Sequence, residues 1–286
     1  MRYNFLRFPD GKTKALTLSY DDGCRQDLRF SDIVSKYGLK CTFNLTSSEA
    51  CGNRALSVDE IKTHFLDRGH EIAVHGYFHR AEGQIRPIEG IIDILDCRRE
   101  LEAKYDRIVR GMAYPDSGIT AWASTTSYDT VKTYLKDLGI VYSRTLGADN
   151  DSFALPKDWY AWMPSAHHDN PNLDKYIEKF ISRDLNTGYC SSRAPWLFYI
   201  WGHSFEFDNK EGGWEHAEDF CKKLSGLPDV WYATNIEIYD YIQAYNSLIF
   251  RADNSAVYNP SLMTVWFDID GTLYSVKSGE TLKLTK

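Results

Sequence analysis

The stretch Thr17-Leu18-Ser19-Tyr20-Asp21-Asp22-Gly23 closes an apolar run that begins at Ala15. Its β-branched and aromatic residues predict a buried strand from Ala15 to Tyr20, and Gly23 allows a turn directly after it. Two adjacent carboxylates therefore follow the carboxyl end of a strand, which is where β/α barrels build their active sites. Neighbouring side chains of an extended backbone point in different directions, so one carboxylate can bind a metal ion while the other faces a substrate water. A solvated Asp-Asp-Gly turn is the alternative.

On both sides of this stretch, short apolar or β-branched runs alternate with segments of helical period. The alternation predicts repeated β-α units around a largely parallel sheet or barrel. The capping-box pattern Ser57-Val58-Asp59-Glu60 predicts a helix that continues to about Asp67. The other predicted helices are 26–37, 87–104, 128–138, 173–182, 215–224 and 236–248, and the other predicted strands are 41–45, 71–74, 108–113, 141–144 and 196–201.

The pattern changes after Phe250, where short strands over 256–258, 264–267 and 272–276 alternate with turn residues. We therefore expect a barrel over residues 1–249 and a small β appendage over residues 250–286, packed on the barrel. Residues 265–272 also match the first motif of haloacid-dehalogenase-type phosphatases, but only 14 residues follow Thr272, too few for the domain that this chemistry needs. Asp270-Gly271 instead predicts a hairpin turn.

Composition excludes several classes of function. With 33 Lys+Arg against 40 Asp+Glu the net charge is −7, which argues against nucleic-acid and acidic membrane partners. No apolar run is long enough for a membrane span or a secretory signal, so the chain as written is expected to be cytoplasmic, with an exported mature form as the alternative. The six cysteines show no paired spacing and are expected to be reduced. Oligomeric state cannot be read from the sequence.

Histidines follow two further predicted strands. His75-Gly76-Tyr77-Phe78-His79 comes after the strand 71–74, and its i, i+4 spacing predicts two imidazoles on one side of a helical turn. Two histidines with one carboxylate are a common ligand set for zinc or another divalent ion. His203 ends the apolar run 196–201, and an unperturbed pKa of about 6.5 makes such a histidine a candidate general acid.

Taken in order, these motifs resemble the polysaccharide deacetylase (NodB-homology) family, carbohydrate esterase family four. The segment Arg110-Gly111-Met112-Ala113-Tyr114-Pro115 lies where the family's third motif would, and the resemblance spans about Ala15 to Asn246. It implies an α/β fold, a distorted (β/α)7-type barrel, to which the small C-terminal β appendage is added.

The resemblance also implies a site and a reaction. Asp22, His75 and His79 would bind a divalent metal, zinc before cobalt, nickel or manganese, and Asp21 would be the general base. A metal-bound water would attack the acetyl carbonyl and His203 would protonate the departing amine. The implied function is a metal-dependent hydrolase that removes acetyl groups from N-acetylated poly- or oligosaccharides.

The chain departs from the family in two motifs. Ala113 stands in place of the third-motif arginine, and Arg110 lies three residues upstream on what should be the other face of the strand. Asp116 takes the place of a tyrosine whose backbone N–H faces the oxyanion, and Asp158 is a candidate for the fourth-motif carboxylate. The predicted substrate or oxyanion contacts are Tyr114, Pro115, Asp116, Trp159, Trp162, His168, Trp201 and Glu206.

Other possibilities remain open at this point. The cluster His167-His168-Asp169 is expected to be a solvated loop, to line the groove or to add a metal ligand. The same metal site would serve an O-acetyl esterase, or an amidase acting on a small non-sugar substrate. A non-catalytic carbohydrate-binding protein is the third possibility, since 41 Trp, Tyr and Phe residues and an acidic balance are typical of sugar-binding surfaces. The expected partner is thus a carbohydrate or a small acetylated or amide substrate.

Overall fold

Seven parallel strands lie side by side in the central sheet. The computed structural model describes residues 3–47, 56–116, 118–119, 123–147, 149–187 and 190–284. Across the sheet the strands are β6 (Tyr142–Arg144), β5 (Gly111–Ala113), β4 (Glu71–Val74), β3 (Cys41–Leu45), β2 (Lys14–Asp21), β8 (Trp196–Gly202) and β7 (Ala166–His167). An eighth strand, β9 (Val230–Tyr232), pairs in parallel with the first residues of β2.

Helices connect the strands in the predicted alternation. They are α1 (Gln26–Lys36), α2 (Val58–Ile61), α3 (Pro87–Tyr105), α4 (Tyr128–Asp137), α5 (Leu173–Ser182), α6 (Gly213–Leu224) and α7 (Asn235–Asn246). The capping box at Ser57 and Glu60 is confirmed, and α2 continues as a π-helical segment, Lys62–Leu66, that ends at Asp67. Helix-sheet alternation around a parallel sheet confirms the predicted fold class.

The sheet curls toward closure. Its edge strand β6 is bridged to Trp162, where the N–H of Trp162 donates to the carbonyl of Ser143 and the N–H of Thr145 donates to the carbonyl of Trp162. The same segment then enters β7, which pairs with β8 at the opposite edge. The curled half-barrel agrees with a distorted (β/α) barrel.

Residues 146–171, where the sequence predicts no helix or strand, are partly core. This region contains a 3-10 turn, Trp159–Ala161, and the short strand β7. Phe153 and Trp162 within it are completely buried, because Phe153 packs on Phe198 and Trp162 packs between Tyr142 and Tyr199.

The two ends of the chain meet in a small antiparallel sheet. A strand that was not predicted, β1 (Asn4–Arg7), pairs with β12 (Val265–Ile269), which pairs with β13 (Thr272–Val276). A second small sheet joins β10 (Ile249–Phe250), β11 (Ala256–Tyr258) and β14 (Thr281–Lys283). The hairpin at Asp270-Gly271 is confirmed, and both residues have positive φ. The division at residues 249 and 250 stays a prediction.

In the segment that resembles a phosphatase motif, both carboxylate oxygens of Asp268 accept hydrogen bonds from this chain. Oδ2 of Asp268 accepts a hydrogen bond of 2.7 Å from Arg193, and Oδ1 accepts one of 3.1 Å from the N–H of Gly271. In the described part of the chain, no helix has the length and apolar character needed to cross a membrane. Cys24, Cys41, Cys97 and Cys221 are buried free thiols, whereas Cys51 and the side chain of Cys190 lie outside the described residues.

Candidate active site

Strand ends bring the predicted site residues together. Asp21 ends β2 and Asp22 follows it, while His75 follows β4 and His203 follows β8. All three strands run parallel in one sheet, so their carboxyl ends meet at one edge. The backbone of Asp22 has a φ of 80°, in the left-handed region, which turns its side chain away from the strand direction.

Asp22 and His75 form a compact cluster with His79, which lies four residues after His75. Oδ1 of Asp22 lies 3.5 Å from Nε2 of His75 and 3.3 Å from Nε2 of His79. One ligand atom from each of the three residues lies within 4.8 Å of the other two. This separation allows a single ion to reach one carboxylate oxygen and two imidazole nitrogens.

The other ring nitrogens favour the ligating form of both histidines. Nδ1 of His75 lies 2.9 Å from the carbonyl oxygen of Ala113, which only accepts, so Nδ1 carries the proton and Nε2 has a free lone pair. Nδ1 of His79 lies 3.5 Å from Oδ1 of Asp116, which favours the same tautomer. The donor set therefore fits a divalent metal ion.

The predicted helical turn between the two histidines is wrong. Residues 75–80 form a bend in which Gly76 and His79 have positive φ values of 77° and 56°. Asp93 holds the bend by accepting hydrogen bonds of 2.9 Å from the N–H groups of Tyr77 and Phe78. A Cβ at Gly76 would lie 2.7 Å from Oδ2 of Asp93, so glycine is required there.

The cluster favours positive charge. Burial acts to raise the pKa of Asp22, but the contacts with His75 and His79, when these rings are protonated, outweigh it and hold this pKa far below its ordinary value. The same contact with Asp22 raises the pKa of His79. A cation at this point is stabilised by the carboxylate whether it is a proton or a metal.

Asp21 is buried, and two side chains donate hydrogen bonds to its carboxylate. Asn44 donates a hydrogen bond of 2.8 Å to its Oδ1, and Nη2 of Arg144 donates one of 2.5 Å to its Oδ2. The guanidinium of Arg144 is also buried, with its carbon 4.5 Å from the ring centroid of Trp201. Arg144 therefore takes the place of the arginine that the third motif lacks, from the end of β6.

Arg110 does not reach the site. Its guanidinium forms a bidentate pair with Asp240 at 3.0 and 2.6 Å, on the outer side of the sheet. Sequence reasoning missed Arg144, although it stands at the end of a predicted strand, as do Asp21 and His203.

We expect Arg144→Met to lower the free energy of unfolding by about 3 kcal/mol, because it leaves the buried carboxylate of Asp21 without its cation. Urea denaturation measures this loss. Arg110→Met is the matched control, since its pair with Asp240 is about one-third exposed and is expected to contribute less than about 1 kcal/mol. Equal losses in the two variants would show that the buried pair of Arg144 with Asp21 contributes no more to the free energy of unfolding than the exposed pair does.

His203 stands beside Asp21, on the loop that follows β8. Its Nε2 lies 3.9 Å from Oδ2 of Asp21, and its Nδ1 lies 3.4 Å from Oε2 of Glu206. Burial acts to lower the pKa of His203, but Glu206, Asp21 and Asp22 together raise it above the ordinary value. The fourth-motif candidate Asp158 is elsewhere, where it accepts hydrogen bonds from Tyr128 and Lys132.

A buried polar contact joins the loops that carry the two catalytic candidates. Ser204, next to His203, donates a hydrogen bond of 2.5 Å to Asp27 and lies 3.0 Å from Sγ of Cys24. Cys24 belongs to the turn that follows Asp22 and Gly23. The contact fixes the spacing of the loops after β2 and β8.

The predicted substrate contacts fall into two groups. Tyr114, Pro115, Trp162 and His168 are buried, and the half-buried Trp159 packs against Trp162 and Tyr239. Asp116 is exposed beside His79, and Trp201 is half-buried between Arg144 and His167. Glu206 turns its carboxylate toward His203 and His167.

Part of the chain matches a known protein family, and its fold is similar to solved structures. The family described as polysaccharide deacetylase matches residues 9–142, which include Asp21, Asp22, His75 and His79. No curated protein matches the chain. Among solved structures, a putative polysaccharide deacetylase from Mycobacterium smegmatis is 19% identical, with a TM-score of 0.54 over 84% of this chain and 94% of that chain.

Two further structures are similar over smaller shares of this chain. A family 4 acetyl xylan esterase from Clostridium thermocellum, in complex with a cobalt ion, is 17% identical with a TM-score of 0.45, covering 79% of this chain and 90% of that one. A deacetylase from Streptococcus pyogenes, in complex with acetate, is 19% identical with a TM-score of 0.40 over 46% of this chain; the match spans only 55% of that deacetylase. The match over residues 9–142, together with the half-barrel fold, confirms that this part of the chain resembles the polysaccharide deacetylase family.

Proposed function

We propose that the chain is a metal-dependent deacetylase that hydrolyses the acetamide group of an N-acetylated poly- or oligosaccharide. The family match supports deacetylase activity in general terms. The observation that carries the finer proposal is the convergence of Asp22, His75 and His79 on one point, directly beside the buried carboxylate of Asp21.

Asp22, His75 and His79 would hold the metal, and a set of two imidazoles and one carboxylate suits zinc, with cobalt, nickel or manganese as alternatives. A divalent ion bound there supplies Lewis acidity toward an acyl oxygen and toward water. The carbonyl of Ala113 and the carboxylate of Asp116 keep the two rings turned so that Nε2 faces the ion.

Asp21 is placed to remove a proton from the attacking water. Asn44 and Arg144 occupy one lone pair on each of its oxygens and fix its orientation, which leaves acceptor capacity on the side of the metal cluster. Nε2 of His75 lies 3.9 Å from Oδ2 of Asp21, so the base and the cluster adjoin. A fixed base with a free lone pair is what general-base catalysis requires.

His203 is placed to give a proton to the leaving nitrogen. An amide nitrogen leaves as an amine only when it is protonated, and the raised pKa of His203 keeps a proton available near neutral pH. The carbonyl carbon gains the water oxygen, the C–N bond breaks, and the products are acetate and a free amine.

Asp116 bears on the class of substrate. Its carboxylate is 59% exposed next to His79, so it faces whatever approaches the metal cluster. A negative charge at this position repels anionic sugars and favours neutral or cationic ones, such as a partly deacetylated amino-sugar polymer.

Acetate release tests the proposal. With zinc added, we expect the chain to release acetate from N-acetylated chitooligosaccharides and to do so more slowly from acetylated xylan and from small amides. Faster release from xylan would favour the O-acetyl esterase, and faster release from small amides would favour the amidase. If the chain binds the oligosaccharides but releases acetate from no substrate with zinc, cobalt, nickel or manganese, the result would favour a non-catalytic carbohydrate-binding protein.

A further inference from the structure

An open pocket lies at the end of the sheet opposite to the candidate active site. Its volume is about 610 Å³, and pockets of roughly 300 to 1,000 Å³ bind small molecules. The described residues that line it are Lys179, Ser182, Arg183, Ser192 and Trp196. Trp196 is the first residue of β8, and His203 follows the last one. A strand rises about 3.3 Å per residue, so roughly 20 Å of chain separate this pocket from His203.

The lining of the pocket consists of hydrogen-bond donors. Each of these described residues carries an N–H or O–H group, and none carries a carboxylate. Lys179 and Arg183 supply two positive charges, and neither pairs with an acidic side chain in the described part of the chain. The hydroxyl of Ser182 and the indole N–H of Trp196 also have no hydrogen-bond partner among the described residues. Such a lining suits an anion with several acceptor oxygens.

The buried ring of Phe153 supports two walls of the pocket. Trp196 packs against it with ring centroids 5.0 Å apart, and the ammonium of Lys179 lies 5.6 Å from the same centroid. Lys179 also donates a hydrogen bond of 2.8 Å to the backbone carbonyl of Asp151. The backbone of Phe153 has a φ of 55°, in the left-handed region, which is strained for a residue with a side chain. A positive charge and an indole are thus held at the pocket before any ligand binds.

The end of α5 beside the pocket is compensated for negative charge. Lys179 lies in the last turn of this helix and Arg183 follows it, where free carbonyl groups carry a partial negative charge that disfavours an anion. The buried ammonium of Lys14 donates a hydrogen bond of 3.4 Å to one of these carbonyls, that of Ile181, and pairs with Asp229 at 2.9 Å. The charges of Lys179 and Arg183 are therefore free to act on a ligand.

We propose that this pocket binds a phosphate monoester carried on a ring, with the phosphate between Lys179 and Arg183 and the ring against the indole of Trp196. A phosphate monoester carries up to about two negative charges at neutral pH and three terminal oxygens, which match two cations and the neighbouring donors. A guanidinium can bind two of these oxygens at once, and an indole packs on the apolar face of a ring. This site goes beyond the proposed function and does not depend on it.

The test is a titration of the zinc-loaded chain with glucose 6-phosphate, followed by NMR of the ¹⁵N-labelled tryptophan side chains. The indole N–H signal of Trp196, assigned from a Trp196→Phe sample, reports on this pocket, whereas phosphate bound at the metal cluster would leave it unmoved. We expect glucose 6-phosphate to shift this signal at millimolar concentrations and inorganic phosphate, which lacks the ring, to bind more weakly. Glucose at the same concentrations should leave the signal unmoved.

Substitutions of the two cations test their assigned role. Arg183→Gln and Lys179→Gln each remove one charge, and each is expected to weaken the binding of glucose 6-phosphate at least about tenfold, because a hydrogen bond to a charged group is lost. Both side chains are exposed, so the variants should fold. Lys62→Gln is the matched control, since Lys62 is an exposed cation in the π-helical segment before β4, and its affinity should equal that of the wild type.

Three results would overturn the proposal. The first is a Trp196 signal that does not move with glucose 6-phosphate, and the second is equal affinity in the wild type, Arg183→Gln and Lys179→Gln. The third is tighter binding of glucuronate than of glucose 6-phosphate, which would assign the pocket to carboxylates. The NMR titration needs no turnover, so a chain that releases no acetate but binds glucose 6-phosphate here would contradict only the proposed function.

Discussion

We expect Asp21→Asn to lower kcat for acetate release by about a thousandfold and to leave one zinc ion bound per chain. An amide has nearly the shape of a carboxylate but cannot accept a proton from water, and general-base catalysis is worth about 10² to 10⁴ in rate. Zinc content should be unchanged because the candidate ligands are Asp22, His75 and His79. Steady-state acetate release and elemental analysis of the dialysed protein give the two values.

Stability must be followed in the same samples. Asp21→Asn leaves the buried guanidinium of Arg144 without its anion, so rates are compared at a temperature where circular dichroism shows a folded chain. Asp219→Asn, on the exposed face of α6, is the control and should retain wild-type activity. An Asp21→Asn protein that is folded, zinc-loaded and fully active would remove Asp21 from the mechanism.

Loss of a single metal ligand is expected to have the second large effect. Removal of an outer partner of a ligand already weakens metal binding by about 10- to 100-fold, so removal of the ligand itself should cost more than about 100-fold. Asp22→Ala, His75→Ala and His79→Ala should each lose zinc on dialysis and release acetate at the background rate. Isothermal titration with zinc measures the affinities.

His64→Ala is the matched control for these three variants. His64 is partly exposed, its ring lies 3.4 Å from Asp32, and it belongs to the helical segment that precedes β4, whereas the site residues follow the strands. Its zinc affinity and activity should equal those of the wild type. Full zinc content in all three ligand variants would show that the zinc binds at another site on the chain.

Local patterns predicted the strands and the residues that follow them. Asp21, Asp22, His75 and His203 each stand at the end of an apolar run, and parallel strands bring such ends to one edge of the sheet. The capping box at Ser57 predicted a helix start in the same way, because its contacts lie within four residues.

Residues that depend on distant contacts were missed. Arg144 reaches Asp21 only because the sheet curls, and the bridge to Trp162 that accompanies this curl has no local pattern. The strand β1 was missed because its partner, β12, lies at the other end of the chain.

The rings of His75 and His79 converge as their spacing predicts, but through a bend and not through a helical turn. The i, i+4 spacing predicts a shared helical face, but the positive φ values of Gly76 and His79 exclude a helix. The Nε2 atoms still converge on Asp22, because Asp93 ties the N–H groups of Tyr77 and Phe78 into a tight bend.

Zinc titration of the metal-free chain, with bound zinc and acetate release measured on the same samples, tests whether one bound metal ion is needed for hydrolysis. We expect acetate release from N-acetylated chitooligosaccharide to rise in proportion to bound zinc and to saturate at one ion per chain. Chelation should abolish release, and zinc should restore it. Release that persists in the chelated chain, or that follows no stoichiometric binding, would contradict the account.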